Sequence, residues 1–492
     1  MPALAQAPAP QGAAAHPPSG SAPAARVEPA RLFPPEATSR HTLSLGVNRL
    51  PYTASAGTLP LTGAKGEVTA HVFSVAYTLD NQGPERPVTF VFNGGPGAAS
   101  AYLHLGAMGP RAVNFSADGS APLQPVRLAD NPDAWLDFTD LVFVDPVGTG
   151  YSRSAAGTEE ADRAFFGAEK DADAMANFVR LYLARAGRAL GPVFLAGESY
   201  GGFRAALLAS RLVGGGIALK GVVLISPALE FSMLRGNRFS LLPLALVLPS
   251  LAATHLERRD GVQGSLTDLR EVEAFARSGY LVHLAAGLKN NPEIDALLAR
   301  YTGLAPGVIR DHQSRVSVRT FTHEYEKGGE RVLSRYDGTV SAPVPRRSDI
   351  RFDPVLEGAT TVLTPAFVQY ARAELGYRTD LEYHLLNREV NGRWDFGTSS
   401  TRQGYAGAID ELQRARAQNP GLGVLITHGY TDLVTPYGVS QYLVDHMAPI
   451  DTGRPVELKV YRGGHMMYLR PTSRRALSED ARVFYRGVLK AS

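Results

Sequence analysis

A serine flanked by glycines stands between two regular elements near the middle of the chain. Gly197-Glu-Ser-Tyr-Gly201 is a G-x-S-x-G motif that follows the apolar run 193–196 and precedes the helix-like run 203–212. Between a strand and a helix this motif forms a nucleophile elbow, with glycines where backbone segments pass too closely for side chains. The alternative is an ordinary turn whose serine caps the helix. The flanking pattern favours Ser199 as a nucleophile.

A serine hydroxyl needs a base, and the base needs an orienting acid. In hydrolases with such an elbow, the acid and then the histidine follow the serine along the chain. Asp432 comes after the apolar run 424–426, and His465 follows the run 456–461 through a Gly-Gly loop. Each stands just past a predicted strand, at the sheet edge where Ser199 emerges. We therefore predict a catalytic triad of Ser199, Asp432 and His465.

Other residues compete for the acid and base positions. Glu230 follows the predicted strand that ends at Ile225, a position that some relatives use for the acid, and Asp145 follows an earlier strand but precedes the serine. Chain order and strand-end position favour Asp432 and His465. Three further histidines lie near predicted strand ends or helices, where a structural role is the commoner outcome: His104, His428 and His446.

Acyl transfer also needs hydrogen-bond donors that point at the developing oxyanion. The predicted strand 88–92 runs into the loop Asn93-Gly-Gly-Pro-Gly97, whose glycines allow the backbone to approach a ligand. The N–H groups of this loop, together with the amide of Tyr200 after the nucleophile, are suited to form an oxyanion hole. Taken by itself, the loop is better explained as a plain Gly/Pro turn.

The elements that must position these residues follow an alternating pattern. Short, nearly all-apolar runs predict strands that are buried on both faces; they are 88–92, 141–144, 193–196, 222–225 and 424–426. Residues 175–183 carry an apolar helical face, and residues 40–79 alternate as antiparallel strands do. The sequence therefore predicts an α/β fold with a mostly parallel central sheet and helices on both faces.

The chain is predicted to divide into four segments. Residues 1–38 form a flexible tail rich in Ala and Pro, and 39–229 and 359–492 form the two parts of the core. Residues 230–358 form an insertion over the carboxyl edge of the sheet, where ligands bind in open α/β folds. Within the tail, Ala3-Leu4-Ala5 is similar to the pattern before a signal-peptidase site, but the preceding regions of a leader are missing. An incomplete leader and a chance match both explain it.

Composition argues against several classes of protein. Lys and Arg number 50 against 47 Asp and Glu, a formal charge of +3 with no block of like charge, so a nucleic-acid surface is not expected. Cysteine is absent, which excludes thiol catalysis and Cys-containing zinc sites. The sequence has no H-E-x-x-H motif and no apolar run long enough to span a membrane. We expect neither a metal nor a cofactor, and the oligomeric state, a homodimer included, is left open.

Five ordered motifs resemble those of the serine carboxypeptidases, and of their bacterial branch in particular. The likeness runs from around Thr69 to around Tyr468 and implies an α/β-hydrolase fold with a helical cap inserted before the strand of the acid. It also implies export, to the periplasm or out of the cell. The motifs are Asn93-Gly-Gly-Pro-Gly97, Asp145-Pro-Val-Gly-Thr-Gly-Tyr-Ser152, Gly197-Glu-Ser-Tyr-Gly201, Gly429-Tyr-Thr-Asp432 and Gly464-His465-Met466.

The resemblance implies roles for further residues. In that family the Asn of the Asn-Gly-Gly loop and the Glu before the nucleophile bind the terminal carboxylate of the substrate, which implies this role for Asn93 and Glu198, with Gly94 in the same substrate-binding group. The oxyanion donors map onto the amides of Gly95 and Tyr200. An ionised Glu198 cannot donate a hydrogen bond to the ionised terminal carboxylate of the substrate, so Glu198 must hold its proton. Substrate binding is therefore favoured at acidic pH.

Three departures from the family pattern stand out. Phe92 replaces a Trp found in many relatives, and Ala98-Ala99 replace a Cys-Ser pair. Ala107 stands where many relatives place a second Glu that helps to hold the terminal carboxylate, which weakens the case for exopeptidase specificity. Arg111 offers a substitute positive charge, but a solvated surface position is favoured for it.

The predicted function is a serine carboxypeptidase that releases C-terminal amino acids from peptides through an acyl-enzyme. An esterase or acyltransferase with the same triad is the first alternative, because acyl-enzyme chemistry fixes neither the acceptor nor the leaving group. A catalytically silent binding scaffold is the second alternative.

Overall fold

The computed structural model of the chain describes residues 29–123, 125–234, 236–237, 239–262, 264–289, 291–326, 330–343, 352–397, 406–451 and 453–490. Most of the predicted tail, residues 1–28, lies outside the described residues. The tail boundary expected at residue 38 is too late, because Pro29–Leu32 form a short helix and the first strand begins at Ala37. The Leu32 carbonyl accepts a hydrogen bond from the Thr379 hydroxyl at 2.6 Å, which attaches this segment to the core.

A large, mostly parallel sheet forms the centre of the molecule. Its long strands are β1 (Ala37–Leu45), β2 (Asn48–Thr62), β3 (Val68–Leu79), β4 (Val88–Phe92), β5 (Asp140–Val144), β6 (Val193–Glu198), β7 (Leu219–Ile225), β8 (Gly423–Gly429) and β9 (Val456–Tyr461). Their order is β1-β2-β3-β5-β4-β6-β7-β8-β9, and Arg153–Ser154 pairs with β3. Strands β4 to β9 run parallel, whereas β1 to β3 add an antiparallel edge.

The parallel strands are buried because they are apolar at nearly every position. Every residue of β4, β5, β6 and β8 is buried. Successive side chains of a strand point to opposite faces. Phe194 therefore packs into the hydrophobic cluster on one face of the sheet, and Leu195 packs into the cluster on the other. The predicted α/β architecture is confirmed.

Helices cover both faces of this sheet. The longer ones are α1 (Ala168–Arg185), α2 (Tyr200–Gly214), α3 (Leu241–Asp260), α4 (Pro292–Thr302), α5 (Pro354–Ala373), α6 (Ile409–Gln418), α7 (Tyr437–Asp445) and α8 (Pro471–Lys490). The apolar faces of α1, α2, α6 and α7 join the cluster that contains Leu195, and those of α5 and α8 join the cluster that contains Phe194. Among the described residues, no helix combines the length and apolarity that a membrane crossing requires.

Shorter elements connect the main ones. The short helices are Pro29–Leu32, Ala101–Leu103, His104–Met108, Trp135–Asp137, Glu159–Asp162, Arg163–Phe165, Phe231–Leu234, Leu269–Phe275, Ala276–Tyr280, Leu281–Ala285, Pro306–Asp311, Val318–Glu324, Arg388–Arg393 and Met467–Leu469. Two small antiparallel ribbons pair Arg111–Val113 with Leu128–Asp130 and Arg331–Leu333 with Ser341–Pro343.

The long insertion between β7 and β8 has a hydrophobic core of its own. Helix α3 and the helices that follow it bury Leu248, Leu251 and Phe321 in a third cluster, separate from the two that cover the sheet. Helix α5 differs, because its buried face, with Leu363, joins a cluster of the main sheet. The insertion limit expected at residue 358 therefore falls inside a helix that belongs by its packing to the core.

The carboxyl edge of the parallel strands carries the predicted site residues. Asn93 directly follows β4 and Ser199 directly follows β6. Asp432 lies in the loop after β8, and His465 lies in the loop after β9. Parallel strands end at the same edge of a sheet, so four loops that are distant along the chain meet there.

The separate core of the insertion can be tested in helix α3. Leu251 is fully buried, so Leu251→Ala should lower the free energy of unfolding by about 2–5 kcal/mol through lost burial and a residual cavity. Urea denaturation measures the change. Val282→Ala, at an exposed position of the same insertion, should change it by less than about 0.5 kcal/mol. Equal effects of the two substitutions would contradict a packed core in this region.

Candidate active site

Ser199 occupies a sharp turn between β6 and α2. Its backbone has φ 58° and ψ −124°, a conformation that residues other than glycine rarely adopt and that costs of order 1–3 kcal/mol. The turn is held by hydrogen bonds of 2.9 Å from the Ser199 N–H to the Ile225 carbonyl and from the Gly202 N–H to the Ser199 carbonyl. The Ser199 side chain makes no capping bond to α2. The capping explanation of the motif is therefore wrong.

The glycines of the motif are required by close backbone approach. A Cβ on Gly197 would overlap the carbonyl oxygen of Gly201, and a Cβ on Gly201 would overlap the carbonyl oxygen of Phe92. Strand β4, strand β6 and helix α2 are therefore packed so closely that a side chain at either position would separate them. This packing holds Ser199 in its strained conformation.

The loop after β4 lies directly against this turn. A Cβ on Gly94 would lie 2.5 Å from the amide nitrogen of Tyr200 and 2.9 Å from the Cβ of Ser199. Gly95 has φ 99°, which glycine tolerates and other residues do not. Within the described part of the chain, the amides of Gly95 and Tyr200 donate no hydrogen bond to another protein group. Both N–H groups are available to a ligand beside the serine.

His465 is bound to Asp432 in a buried pair. The distance from His465 Nδ1 to Asp432 Oδ2 is 2.8 Å, and both side chains are at most 2% exposed. Asp432 Oδ1 accepts hydrogen bonds from the amides of Val434 (2.7 Å) and Thr435 (2.9 Å), and the Thr435 hydroxyl lies 2.7 Å from Oδ2. A carboxylate held in this way accepts a hydrogen bond from the Nδ1–H group, which leaves Nε2 of the neutral ring as an acceptor.

The same pair changes the basicity of the imidazole. Burial disfavours the charged ring, but the Asp432 carboxylate outweighs burial by its charge and its hydrogen bond, so the pKa of His465 is raised above its ordinary value. Glu198 adds a further negative charge in the vicinity. A buried imidazole of raised basicity is suited to take a proton from a nearby hydroxyl.

Ser199 and His465 are connected through neighbouring residues. The Ser226 hydroxyl donates to the His465 carbonyl at 2.9 Å, and Ser226 follows Ile225, whose carbonyl binds the Ser199 amide. In the described residues the Ser199 hydroxyl itself makes no hydrogen bond to the protein, so the serine–imidazole bond expected of a triad is not formed. Such bonds are often loose without substrate and tighten in the substrate complex.

Glu198 forms a buried polar cluster next to the turn. The Asn93 side-chain amide donates to Glu198 Oε2, and the Tyr468 hydroxyl donates to Oε1 at 3.0 Å. The Asn93 Oδ1 accepts a hydrogen bond from the Leu103 N–H at 3.0 Å. The side-chain amide is therefore oriented with its nitrogen toward the carboxyl of Glu198. Burial raises the pKa of Glu198 above its ordinary value, although His465 and the two donors oppose the rise.

The competing acids bind other groups. Asp145 accepts two hydrogen bonds from Ser100, at 2.8 Å from its amide and 2.7 Å from its hydroxyl. Burial raises the pKa of Asp145 to about 6. Glu230 accepts a long hydrogen bond of 3.4 Å from the Ile409 amide, and burial raises the pKa of Glu230 to about 7. Both carboxyls therefore have partners away from the His465 ring.

The competing histidines are also engaged elsewhere. Burial lowers the pKa of His104 to about 3 and that of His428 to about 4, so both rings stay neutral. His446 is exposed. Their ring nitrogens bond to side chains or backbone of their own surroundings: His104 to Tyr77 at 2.6 Å, His428 to Ser440 at 2.8 Å and His446 to the Tyr442 carbonyl at 2.7 Å.

Neither Ala107 nor Arg111 presents an uncompensated charge. Ala107 is fully buried in the short helix His104–Met108. Arg111 forms ion pairs with Asp130 at 2.8 Å and with Glu374 at 3.3 Å. The charge of Arg111 is therefore already neutralised by the protein, which disfavours it as a substitute carboxylate binder.

Sequence reasoning missed two polar groups of this site. Thr435 stands three residues after Asp432, and an acid followed at this spacing by Thr is a recognisable turn signal. Tyr468 has no local signal, because its partner Glu198 is 270 positions away. Tyr468 contacts Glu198 because the loop after β9 packs against the carboxyl end of β6.

A buried ion pair connects elements that carry the site. Arg204 of α2 binds Asp171 of α1 at 2.6 Å and donates to the Asn93 carbonyl at 2.8 Å. Arg204 and Asp171 are at most 5% exposed. One guanidinium thus joins two helices to the loop after β4, and its removal would leave a buried carboxylate without a partner.

The ion pair gives a stability prediction. Arg204→Met should lower the free energy of unfolding by about 3–5 kcal/mol, because Asp171 is left buried and unpaired. Urea denaturation measures the loss. The double variant Asp171→Leu/Arg204→Met removes both charges and should recover most of the loss, because apolar replacement of a buried pair is often neutral. A single variant as stable as the unmodified protein would contradict this.

Comparison with known proteins shows what the chain is similar to. Residues 53–232 match the sequence model of the serine carboxypeptidase family. The pheromone-processing carboxypeptidase KEX1 of Cryptococcus gattii is 34% identical over 116 residues, 23% of this chain and 16% of that protein. Serine carboxypeptidase-like 36 of Arabidopsis thaliana is 30% identical over 155 residues, 30% of each chain. The chain thus spans less than a third of the length of the curated relatives it matches.

A solved structure extends the likeness to the whole fold. The crystal structure of Kex1(Δ)p, a prohormone-processing carboxypeptidase from Saccharomyces cerevisiae, superposes with a TM-score of 0.56 at 15% identity, over 91% of this chain and 96% of that one. At this identity the match concerns the fold alone. The bacterial branch stays a prediction. Residues 53–232 are therefore similar to the serine carboxypeptidase family, and by its structure the chain has the α/β-hydrolase fold.

Proposed function

We propose that the protein is a serine-type carboxypeptidase that releases the C-terminal amino acid of a peptide through an acyl-enzyme on Ser199. The observation that supports this most directly is the buried hydrogen bond of 2.8 Å between His465 and Asp432, at the sheet edge where the strained serine emerges. The buried Asn93–Glu198 pair adjoins the same serine and supplies a reason for exopeptidase specificity.

In the proposed acylation step, His465 Nε2 takes the proton of Ser199 Oγ while Oγ attacks the last peptide carbonyl. The amides of Gly95 and Tyr200 stabilise the oxyanion. The C–N bond then breaks, and His465 gives its proton to the leaving amino group. Asp432 keeps the imidazole in the required tautomer and stabilises its charged form. Water attacks the resulting ester, loses a proton to His465, and Ser199 Oγ leaves with that proton.

The proposed carboxylate site consists of Asn93, Gly94 and Glu198. A neutral Glu198 can donate a hydrogen bond to the terminal carboxylate of a peptide, whereas an ionised one repels it. Burial raises the pKa of Glu198, so the group keeps its proton to higher pH than an exposed glutamate does. Peptides with a free C-terminus are therefore the expected substrates, and export to the periplasm or out of the cell stays part of the proposal.

The protonation states of Glu198 and His465 must be considered together, because each changes the pKa of the other. The reactive form has a neutral Glu198 and a neutral imidazole, so the pair carries one proton. A second proton charges His465 and abolishes the base. Loss of the last proton ionises Glu198 and abolishes carboxylate binding.

Substitution of the nucleophile tests the reaction. Ser199→Ala should lower kcat/KM for a free-acid peptide by about 10⁴-fold or more, because no acyl-enzyme can form. Turnover is followed by mass spectrometry of released amino acids. Ser210→Ala, elsewhere on α2, is the matched control and should keep its activity. A folded Ser199→Ala protein with full turnover would refute the proposal, and failure of a serine-directed covalent probe to label Ser199 would favour a silent scaffold.

Two measurements test the proposed carboxylate site: the relative cleavage of different substrates and the pH dependence of that cleavage. A free-acid peptide should be cleaved with a kcat/KM about 10–100-fold above that of its C-terminal amide, because a buried hydrogen bond to a charged group is lost. For the free acid, kcat/KM should rise with pH as the Glu198–His465 pair loses its first proton and fall again as the pair loses its second, because only the one-proton pair can hold both groups neutral. For an activated ester without a carboxylate, only the rise should remain. Equal cleavage of acid, amide and ester would favour an esterase or acyltransferase.

A further inference from the structure

Two side chains of the described residues donate hydrogen bonds to the carboxyl of Glu198, and one of them comes from the loop that carries His465. Tyr468 lies three residues after His465 in the short helix Met467–Leu469, and its hydroxyl is 3.0 Å from Glu198 Oε1. Tyr468 is fully buried, while Glu198 keeps 5% exposure. Tyr468 therefore does not reach a bound peptide itself and acts through Glu198.

Gly106 lies against this tyrosine ring. A Cβ on Gly106 would lie 3.3 Å from Cε2 of Tyr468 and 3.2 Å from a methyl group of Leu469. The next residue is Ala107, the position at which many serine carboxypeptidases have a second Glu. Here a neutral phenol, rather than a second carboxyl, is the further partner of Glu198, and burial raises the pKa of Tyr468 well above its usual range.

The direction of the hydrogen bonds determines what the phenol does. Asn93 Oδ1 accepts from the Leu103 amide, so the Asn93 nitrogen must donate to Glu198 Oε2. The phenol donates to Oε1, and two donors together favour the ionised carboxylate. The peptide substrate requires the neutral acid. Tyr468 therefore competes with the proton that Glu198 needs for binding.

We propose that Tyr468 is a positioning residue that holds the carboxyl of Glu198 and limits the pH range over which that carboxyl keeps the proton needed to bind a terminal carboxylate. The inference rests on the proposed carboxypeptidase function. On this proposal one carboxyl group, that of Glu198, binds the terminal carboxylate of the peptide. A tyrosine of the His465 loop sets the upper end of the pH range in which peptides bind, which is called the alkaline limit below.

The charged and titratable groups around Glu198 are the other contributors to this limit. His465 favours the ionised carboxyl and Asp432 disfavours it. The phenols of Tyr102 and Tyr336 also lie close enough to Glu198 to interact with it electrostatically, and burial keeps both neutral. Among these groups Tyr468 is the one whose hydroxyl donates directly to Glu198.

Tyr468→Phe tests the inference with minimal change of shape. Removal of the donor should raise the pKa of Glu198 by about one unit. At a fixed pH above the pKa of Glu198, kcat/KM of the variant for a free-acid peptide should then be about tenfold higher than that of the unmodified protein. The rise should come mainly from a lower KM, with kcat little changed. Cleavage of an activated ester without a carboxylate should keep its pH profile. A structural role would instead reduce both activities at every pH.

Tyr485→Phe is the matched control. Tyr485 is also buried, but its hydroxyl bonds to Thr89 at 2.7 Å, near the amino end of β4 and thus at the edge of the sheet opposite to the site. This variant should leave the pH profile of free-acid peptides unchanged. A shift as large as that of Tyr468→Phe would contradict a specific role of Tyr468.

A second variant tests the same inference if Tyr468→Phe does not fold. In it Tyr468 is replaced site-specifically by 3,5-difluorotyrosine, which keeps both the ring and the hydroxyl. The fluorinated phenol is a stronger donor, so the alkaline limit should move to lower pH and kcat/KM on that side should fall severalfold. An unchanged limit in a folded variant would overturn the inference while leaving the carboxypeptidase proposal intact. If the unmodified protein cleaves the free acid and the amide equally, the proposed function fails instead.

Discussion

Backbone crowding where β6 turns into α2 is the constraint on which the rest of the site depends. Gly197 and Gly201 admit no Cβ, and the loop at Gly94 lies against the amide of Tyr200. These contacts hold Ser199 at φ 58°, a strained conformation that the surrounding sheet and helix must stabilise. Because this packing exists before any ligand binds, the backbone of the serine and the neighbouring N–H groups are already in place for the proposed reaction.

The two buried carboxyl groups near the turn, Asp432 and Glu198, differ in their hydrogen-bond partners. Asp432 faces the imidazole of His465 and keeps it basic by its negative charge. In the part of the chain that the structure describes, the hydrogen-bond donors to Glu198 are the neutral side chains of Asn93 and Tyr468, and burial dominates and raises the pKa of Glu198. Burial thus drives Glu198 toward its neutral form, which the proposed carboxylate site requires, while Asp432 supports the proposed base.

The inserted helices are attached to the site by buried charges. Arg470, beyond His465 on the same loop, binds Glu257 of α3 at 2.5 Å and Asp337 at 2.8 Å. Asp337 in turn accepts a hydrogen bond from Thr431, the neighbour of Asp432 in the chain, at 2.7 Å. One guanidinium therefore links the insertion to the loops of the acid and the base. Removal of this guanidinium would be costly, because two buried carboxylates would lose a cationic partner.

The sequence by itself determined the α/β architecture and singled out Ser199, Asp432 and His465, because strand patterns and the glycine turn are local signals. It placed the insertion only approximately, since the limits of a unit depend on which core a helix packs against, and α5 packs against the sheet. Only the tertiary structure decided what faces Glu198. Tyr468 is 270 residues away, and contacts between distant segments follow from packing that no local pattern records.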